Sequence, residues 1–274
     1  MMFCVNLCEL LDKESINENS LSTFFNIKND MHRVYIGSYF CSQYFMKMNW
    51  VNLLLDYCKN SHCKVTLVVP VISEKDVEIA KIKIDEIVNE GQDVVDEITV
   101  NDPGMLNYIC RRYNNMGVNL GRLFFKDARE PRIAEYNELR IKPTKNTSTY
   151  LENYNIKCVE LDLLSSDMVC DESSRLIGIH LPFTYVTTGN ICKYASTYKA
   201  IEKKFRPNDT CGMECHKMYE HYKEIIDGRM VEFYRVGRTV YSYNDKMNEL
   251  PSGADRYIYF PFLEYVSMVE GKVI

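Results

Sequence analysis

Hydrophobic and polar positions alternate along this chain in a repeating order. HRVYIGSYF at 32–40 is β-branched and aromatic and predicts a strand. YFMKMNWVNLLLDYCKN at 44–60 places Met46, Trp50, Leu53, Leu54 and Tyr57 on one face of a helix. CKVTLVVPVI at 63–72 is a nearly continuous apolar run, as a strand buried on both faces requires. Ser73 stands three residues before Asp76, close to a capping-box start, and the helix after it carries Val77, Ile79, Ile82, Ile84 and Ile87. EITV at 97–100 predicts the third strand. Asp102 and Pro103 then cap and open a helix through Met105, Leu106, Ile109 and Cys110. VNLGRLFF at 118–125 predicts the fourth strand.

This β-α-β-α-β-α-β order with short connections predicts parallel strands and crossover helices. Beyond residue 126 the rhythm loosens. A charged loop at 126–132 leads to a polar stretch, then a short helix at 148–154 and a strand at 157–163. RLIGIHLPFTYVTT at 175–188 predicts one further strand. CKYASTYKAIEKKF, beginning at Cys192, predicts a helix with Tyr194, Tyr198, Ile201 and Phe205 on its apolar face. EFYRVGRTVYSY and RYIYFPF predict short antiparallel strands. The expected fold is a single α/β domain, a TIM-barrel-like (β/α) barrel, incomplete or distorted near its end, with a β tail. Residues 1–32 form an appendage to it, 33–221 the core and 222–274 the tail.

Composition adds limits. The chain has 274 residues, enough for a full core without disulfides. Its 33 Lys and Arg against 38 Asp and Glu give a net charge of -5, which argues against duplex nucleic-acid binding by bulk charge. The 11 cysteines are odd in number, so a disulfide framework is not expected. No secretory signal and no membrane-length apolar run is present, and the expectation is a soluble, cytoplasmic protein with reduced thiols.

Candidate chemistry centres on Cys211-Gly-Met-Glu-Cys215 with Cys192 upstream. The helix and the Arg206-Pro207-Asn208-Asp209 turn between them can return Cys192 to the pair. Cys41, directly after the first strand, would meet these later loops at the C-terminal face of a barrel. Four thiolates suit an iron–sulfur cluster, while ordinary packing or surface cysteines remain an equal reading of Cys192, Cys211 and Cys215 from spacing alone. Zinc is the competing metal, with His216 and His221 close by, although zinc modules usually set the histidines farther from the second cysteine. A solvent-facing helical pair is the plainer reading of those histidines. Arg122, Lys126, Arg129 and Arg132 form a second feature, a cationic rim for a substrate or partner, in which Arg122 would point into the barrel mouth and grip a carboxylate or phosphate. Asp127 and Glu130 could equally pair with these cations. His180 reads as a satisfied core histidine. Protease, P-loop and dinucleotide-binding motifs are missing.

VYIGSYFCS, EITVNDPG, GRLFFKDAREPR, HLPFTYVTT and the late C…RPNDTC-x3-C, taken in order, resemble the collagenase-like peptidase family U thirty-two, closest to its ubiquinone-biosynthesis accessory (UbiV) branch. The resemblance implies a barrel-like α/β fold and a 4Fe-4S cluster on Cys41, Cys192, Cys211 and Cys215, leaving the other seven cysteines structural. It also implies oxygen-independent hydroxylation or another redox modification of a small molecule or RNA, performed alone or as one subunit beside a second family member. The family name adds peptidase activity on peptides as an alternative. A non-catalytic scaffold with a structural metal is the third reading.

Overall fold

The computed structural model describes residues 2–10, 18–25, 31–129, 145–163, 175–207, 209–216, 218–244, 251 and 253–270. Eight parallel strands close into a barrel. They are β1 (Met2–Asn6), β2 (Met31–Gly37), β3 (Lys64–Val69), β4 (Val95–Val100), β5 (Gly117–Leu120), β6 (Ile156–Asp162), β7 (Leu176–Leu181) and β12 (Arg256–Tyr259). A second sheet, antiparallel, runs in the order β8-β11-β10-β9, with β8 (Phe183–Thr188), β9 (Tyr219–Ile226), β10 (Arg229–Val236) and β11 (Thr239–Tyr243). The expected irregularity near the end is therefore an insertion. The chain leaves the barrel after β7, builds the second sheet, and returns as β12 to close the cylinder.

Helices cross between the barrel strands, as alternating parallel strands require. After α1 (Glu18–Phe25) come α2 (Ser42–Lys47) and α3 (Val51–Asn60), then α4 (Val77–Glu90), α5 (Pro103–Arg112) and α6 (Lys145–Asn153); α7 (Phe262–Glu270) follows β12. Asp102 caps α5, its carboxylate accepting from the Met105 amide at 2.9 Å, with Pro103 in the first turn. Among the described residues, no helix is long and apolar enough to cross a membrane.

Several elements differ from the sequence expectation. Residues 2–6 are not an appendage but a barrel strand between β2 and β12. RYIY is not antiparallel: it pairs parallel with β7 and β1. A local pattern shows that a strand is buried, not which way its neighbours run. The 175–188 run is two strands in two sheets, because Pro182, after a cis bond, ends one and Phe183 opens the other. The 44–60 run is two helices, broken between Lys47 and Val51. VNLG ends its strand at Leu120, and 3-10 turns span Arg122–Arg129. Residues 133–144 of the expected loop lie outside the described residues.

The barrel interior is filled by polar side chains as well as aliphatic ones. Glu97 on β4 is wholly buried and takes a two-point contact from Arg256 on β12, at 2.6 and 2.8 Å. Lys157 reaches the same carboxylate at 2.7 Å and Asn119 donates to it at 3.1 Å. Arg33 lies 3.5 Å from it and also binds Asp96 at 2.6 and 3.0 Å. Elsewhere in the interior, Glu160 on β6 accepts from Tyr39 at 2.7 Å and Thr99 at 2.5 Å and touches His180 Nε2 at 3.2 Å. His180 is buried as expected and hydrogen-bonded through Nε2, but its Nδ1 is buried with no partner, so it is only partly satisfied. Burial, with Arg122 nearby, holds it well below its ordinary pKa, so its contact with Glu160 is a hydrogen bond rather than an ion pair.

Candidate metal centre

Cys41 sits where β2 ends and α2 begins. Gly37 makes the turn at φ +111°, and a Cβ there would lie 2.2 Å from the Val68 carbonyl oxygen, so no other residue fits. Ser38 then donates its amide to that oxygen at 3.0 Å. The Ser38 hydroxyl accepts from the Cys41 amide at 2.7 Å, and Glu9 Oε1 accepts from the amides of Phe40 at 2.8 Å and Cys41 at 3.1 Å. Glu9 also accepts from the Ser38 hydroxyl. The segment after β1 thereby fixes the loop after β2. Nothing in the local sequence pattern marks Glu9 for this role.

Cys192 follows β8. The expected long helix beginning there is instead two 3-10 turns, Tyr194–Ser196 and Ile201–Lys203. The helical periodicity misleads because only Tyr194 of its apolar face is buried; Tyr198, Ile201 and Phe205 are exposed. Ile201→Ser is accordingly expected to change unfolding free energy by no more than about 0.5 kcal/mol in a urea titration, against the larger loss a buried helix face would show.

The return turn is tied by Lys199, which binds Asp209 at 2.7 Å and the Thr210 carbonyl at 2.5 Å. Lys47 on α2 donates to the Cys211 carbonyl, joining this loop to the barrel. Within C-x3-C, Glu214 accepts from the Gly212 amide at 3.0 Å, Met213 takes φ +67°, and Cys215 lies in a 3-10 turn. His216 stacks on Tyr44, with ring centroids 5.4 Å apart. His221 lies on β9, stacked on Tyr234 and 3.1 Å from Glu232. The two histidines are therefore not a helical pair.

Cys41, Cys192, Cys211 and Cys215 line one small cavity between the barrel and the second sheet, together with Glu9, Tyr44 and Arg238. Burial pushes the Cys41 thiol up to about 11, opposed by Arg238 and reinforced by Glu9. Burial also raises Cys215, and Cys41, Cys192 and Cys211 add to the rise. Each thiolate formed here opposes the next, so the set favours ionisation together only around a cation. Among the described residues, no three His, Cys, Asp or Glu groups are gathered closely enough to share a single metal ion.

The other described cysteines lie apart from this cavity. Cys4, Cys8, Cys58, Cys63 and Cys158 are buried and Cys110 is half-buried. Cys170 lies outside the described residues.

Arg122 is 2% exposed rather than presented on an open rim. It pairs with the equally buried Asp162 and donates to the Phe183 carbonyl at 2.8 Å. Its guanidinium lies 5.5–5.8 Å from the rings of Tyr39, Phe40, Tyr185 and Tyr241. The carboxylate that Arg122 grips belongs to its own chain, and the aromatic face of the second sheet covers it. Lys126 and Arg129 fall in the 3-10 segment, but their side chains, like Arg132, lie outside the described residues.

No family model, curated protein or solved structure matches this chain.

Proposed function

We propose that this chain is an iron–sulfur protein carrying one 4Fe-4S cluster on Cys41, Cys192, Cys211 and Cys215, and that it serves as a redox subunit in an oxygen-independent hydroxylation or related modification. One observation carries the reading: four cysteines from three separate segments line a single cavity. Packing alone has no need to gather four of 11 cysteines in one place while six of the others are scattered through the barrel and its helices. When bound, the cluster supplies one-electron transfer. The chain's own residues orient the ligands. Glu9 and Ser38 fix the Cys41 backbone, and Lys47 holds Cys211 against α2.

The subunit role rests on the barrel mouth. Arg122, Asp162 and four aromatic rings fill the region in which barrel enzymes keep their substrates. The cysteine cavity lies beside this plug, at the seam with the second sheet. The partner and substrate that complete the reaction are expected to meet the chain from that side.

Anaerobically purified protein is expected to contain about four iron and four sulfide per chain. Replacing all four cysteines with alanine should abolish both, while Cys110→Ala leaves them near normal. Stoichiometric zinc with negligible iron would overturn the assignment.

A further inference from the structure

The turn between β10 and β11 is formed by Gly237 and Arg238, with Val236 paired to Thr239 across it. A cation at the tip of a tight hairpin is ordinarily solvated. Arg238 is only 7% exposed and lines the cysteine cavity. Its Nε has no hydrogen-bond partner, and among the described residues it has no ion-pair partner. The two cavity carboxylates are engaged elsewhere. Glu9 accepts from Ser38, Phe40 and Cys41, and Asp209 pairs with Lys199.

Burying a guanidinium without an anion costs several kcal/mol, so native folds pair such groups or place them against a negative ligand. Two features of this cavity bear on the sign of what it holds. Its donors are thiols, which bind metal only as thiolates. Its buried cation, Arg238, makes no ion pair among the described residues, and the cavity carboxylate Glu9 is held by Ser38, Phe40 and Cys41 instead. Gly237 supplies the left-handed φ of +57° that this tight turn takes.

We propose that Arg238 is the counter-cation of the cluster, a positioning residue that sets its reduction potential by compensating the negative charge of four thiolates. This rests on the cluster reading above. Taking up one electron makes the cluster one unit more negative. A fixed positive charge in a water-poor cavity stabilises that reduced form more than the oxidised one, and the potential rises. Cys215 packs against the same hairpin, so the second sheet supplies the electrostatic wall of a site whose first ligand comes from the barrel.

The test uses the full chain, purified anaerobically, with iron and sulfide content and the midpoint potential read separately. Arg238→Met retains most of the side-chain volume and removes the charge; Arg238→Lys retains the charge. Arg238→Met is expected to lower the midpoint so that the reduced-to-oxidised ratio at a fixed applied potential falls about tenfold, which is 59 mV for a one-electron couple. Arg238→Lys should recover most of that shift. If Arg238→Met cannot hold iron, recovery of iron by Arg238→Lys supports the same role. A cluster-bearing Arg238→Met with the wild-type midpoint would overturn this inference and leave the cluster reading intact. Equal loss of iron in both variants would overturn it too. Wild-type protein lacking iron and sulfide would overturn the cluster reading, and this inference with it.

Discussion

Glu97→Gln is expected to cost about 3–5 kcal/mol of stability, read as a lower urea midpoint with an unchanged slope. Glutamine conserves the volume but removes the charge that balances Arg256, which is 2% exposed, and the nearby Arg33, 4% exposed. The variant leaves buried Arg256 without its anion, the situation in which loss of one partner costs most, whereas Arg33 keeps Asp96. Pairing Glu97→Gln with Arg256→Met should return a large part of the loss, since the second change removes the stranded guanidinium charge. The pH dependence follows the same interaction. Burial works against the Glu97 carboxylate, yet Arg256 and Arg33 hold its pKa well below the ordinary glutamate range. The unfolded chain, with a glutamate pKa of about 4.3, binds this proton first as pH falls. The contribution of Glu97 is therefore complete above that value and is lost as pH drops toward the depressed folded one.

Glu160 should show the opposite dependence. It is completely buried, and burial raises its pKa to about 7 against the opposing pull of its hydrogen bonds from Thr99 and Tyr39 and of Arg256. The folded state holds the proton that the unfolded state releases near 4.3. Stability from this group therefore falls as pH rises from about 4.3 to about 7 and then levels. The span corresponds to about 3–4 kcal/mol. Urea titrations between pH 5 and 8 should show this decline in the wild type and its disappearance in Glu160→Gln. A variant that keeps the wild-type slope would assign the decline to other groups.

The parts of the fold that sequence made legible are those in which local pattern and burial coincide. The order of β2 to β5 and their helices is legible because each strand is flanked by turn residues, but the helix faces are not all as the pattern predicts: Leu53, Ile79 and Ile82 are exposed. β1 escaped because MFCVN is only five residues long and ends in a polar side chain. Its identity as a strand comes from β12 and β2, which are distant in sequence. The apolar run across Pro182 concealed a change of sheet, since burial on both sides of that residue leaves hydropathy unbroken.

At the cavity, the cysteines announce themselves by residue type, and the order in which they occur supports grouping them. Glu9 and Arg238 do not. Glu9 looks like a polar break in an apolar segment, and Arg238 in V-G-R-T looks like the exposed corner of a hairpin. Glu9 is singled out by the hydrogen bonds it accepts and Arg238 by its burial, and both are decided by what packs around them. Arg122 carries the same lesson with the opposite outcome: a cation beside a strand end suggested an anion from outside, and tertiary packing supplied Asp162 from within.

The parallel pairing of β1 with β12 has a consequence for the making of the protein. Phe3 lies beside Tyr257 in the closed barrel, so β1 must wait for a partner strand made about 250 residues after it. At typical synthesis rates, the intervening stretch of about 250 residues takes on the order of ten seconds to a minute to emerge. Throughout that time one edge of β1 has no neighbour, and an unpaired strand edge is a template for pairing with another chain. Cellular yield should therefore depend on how well a chaperone covers nascent β1, even for variants whose finished barrels are equally stable.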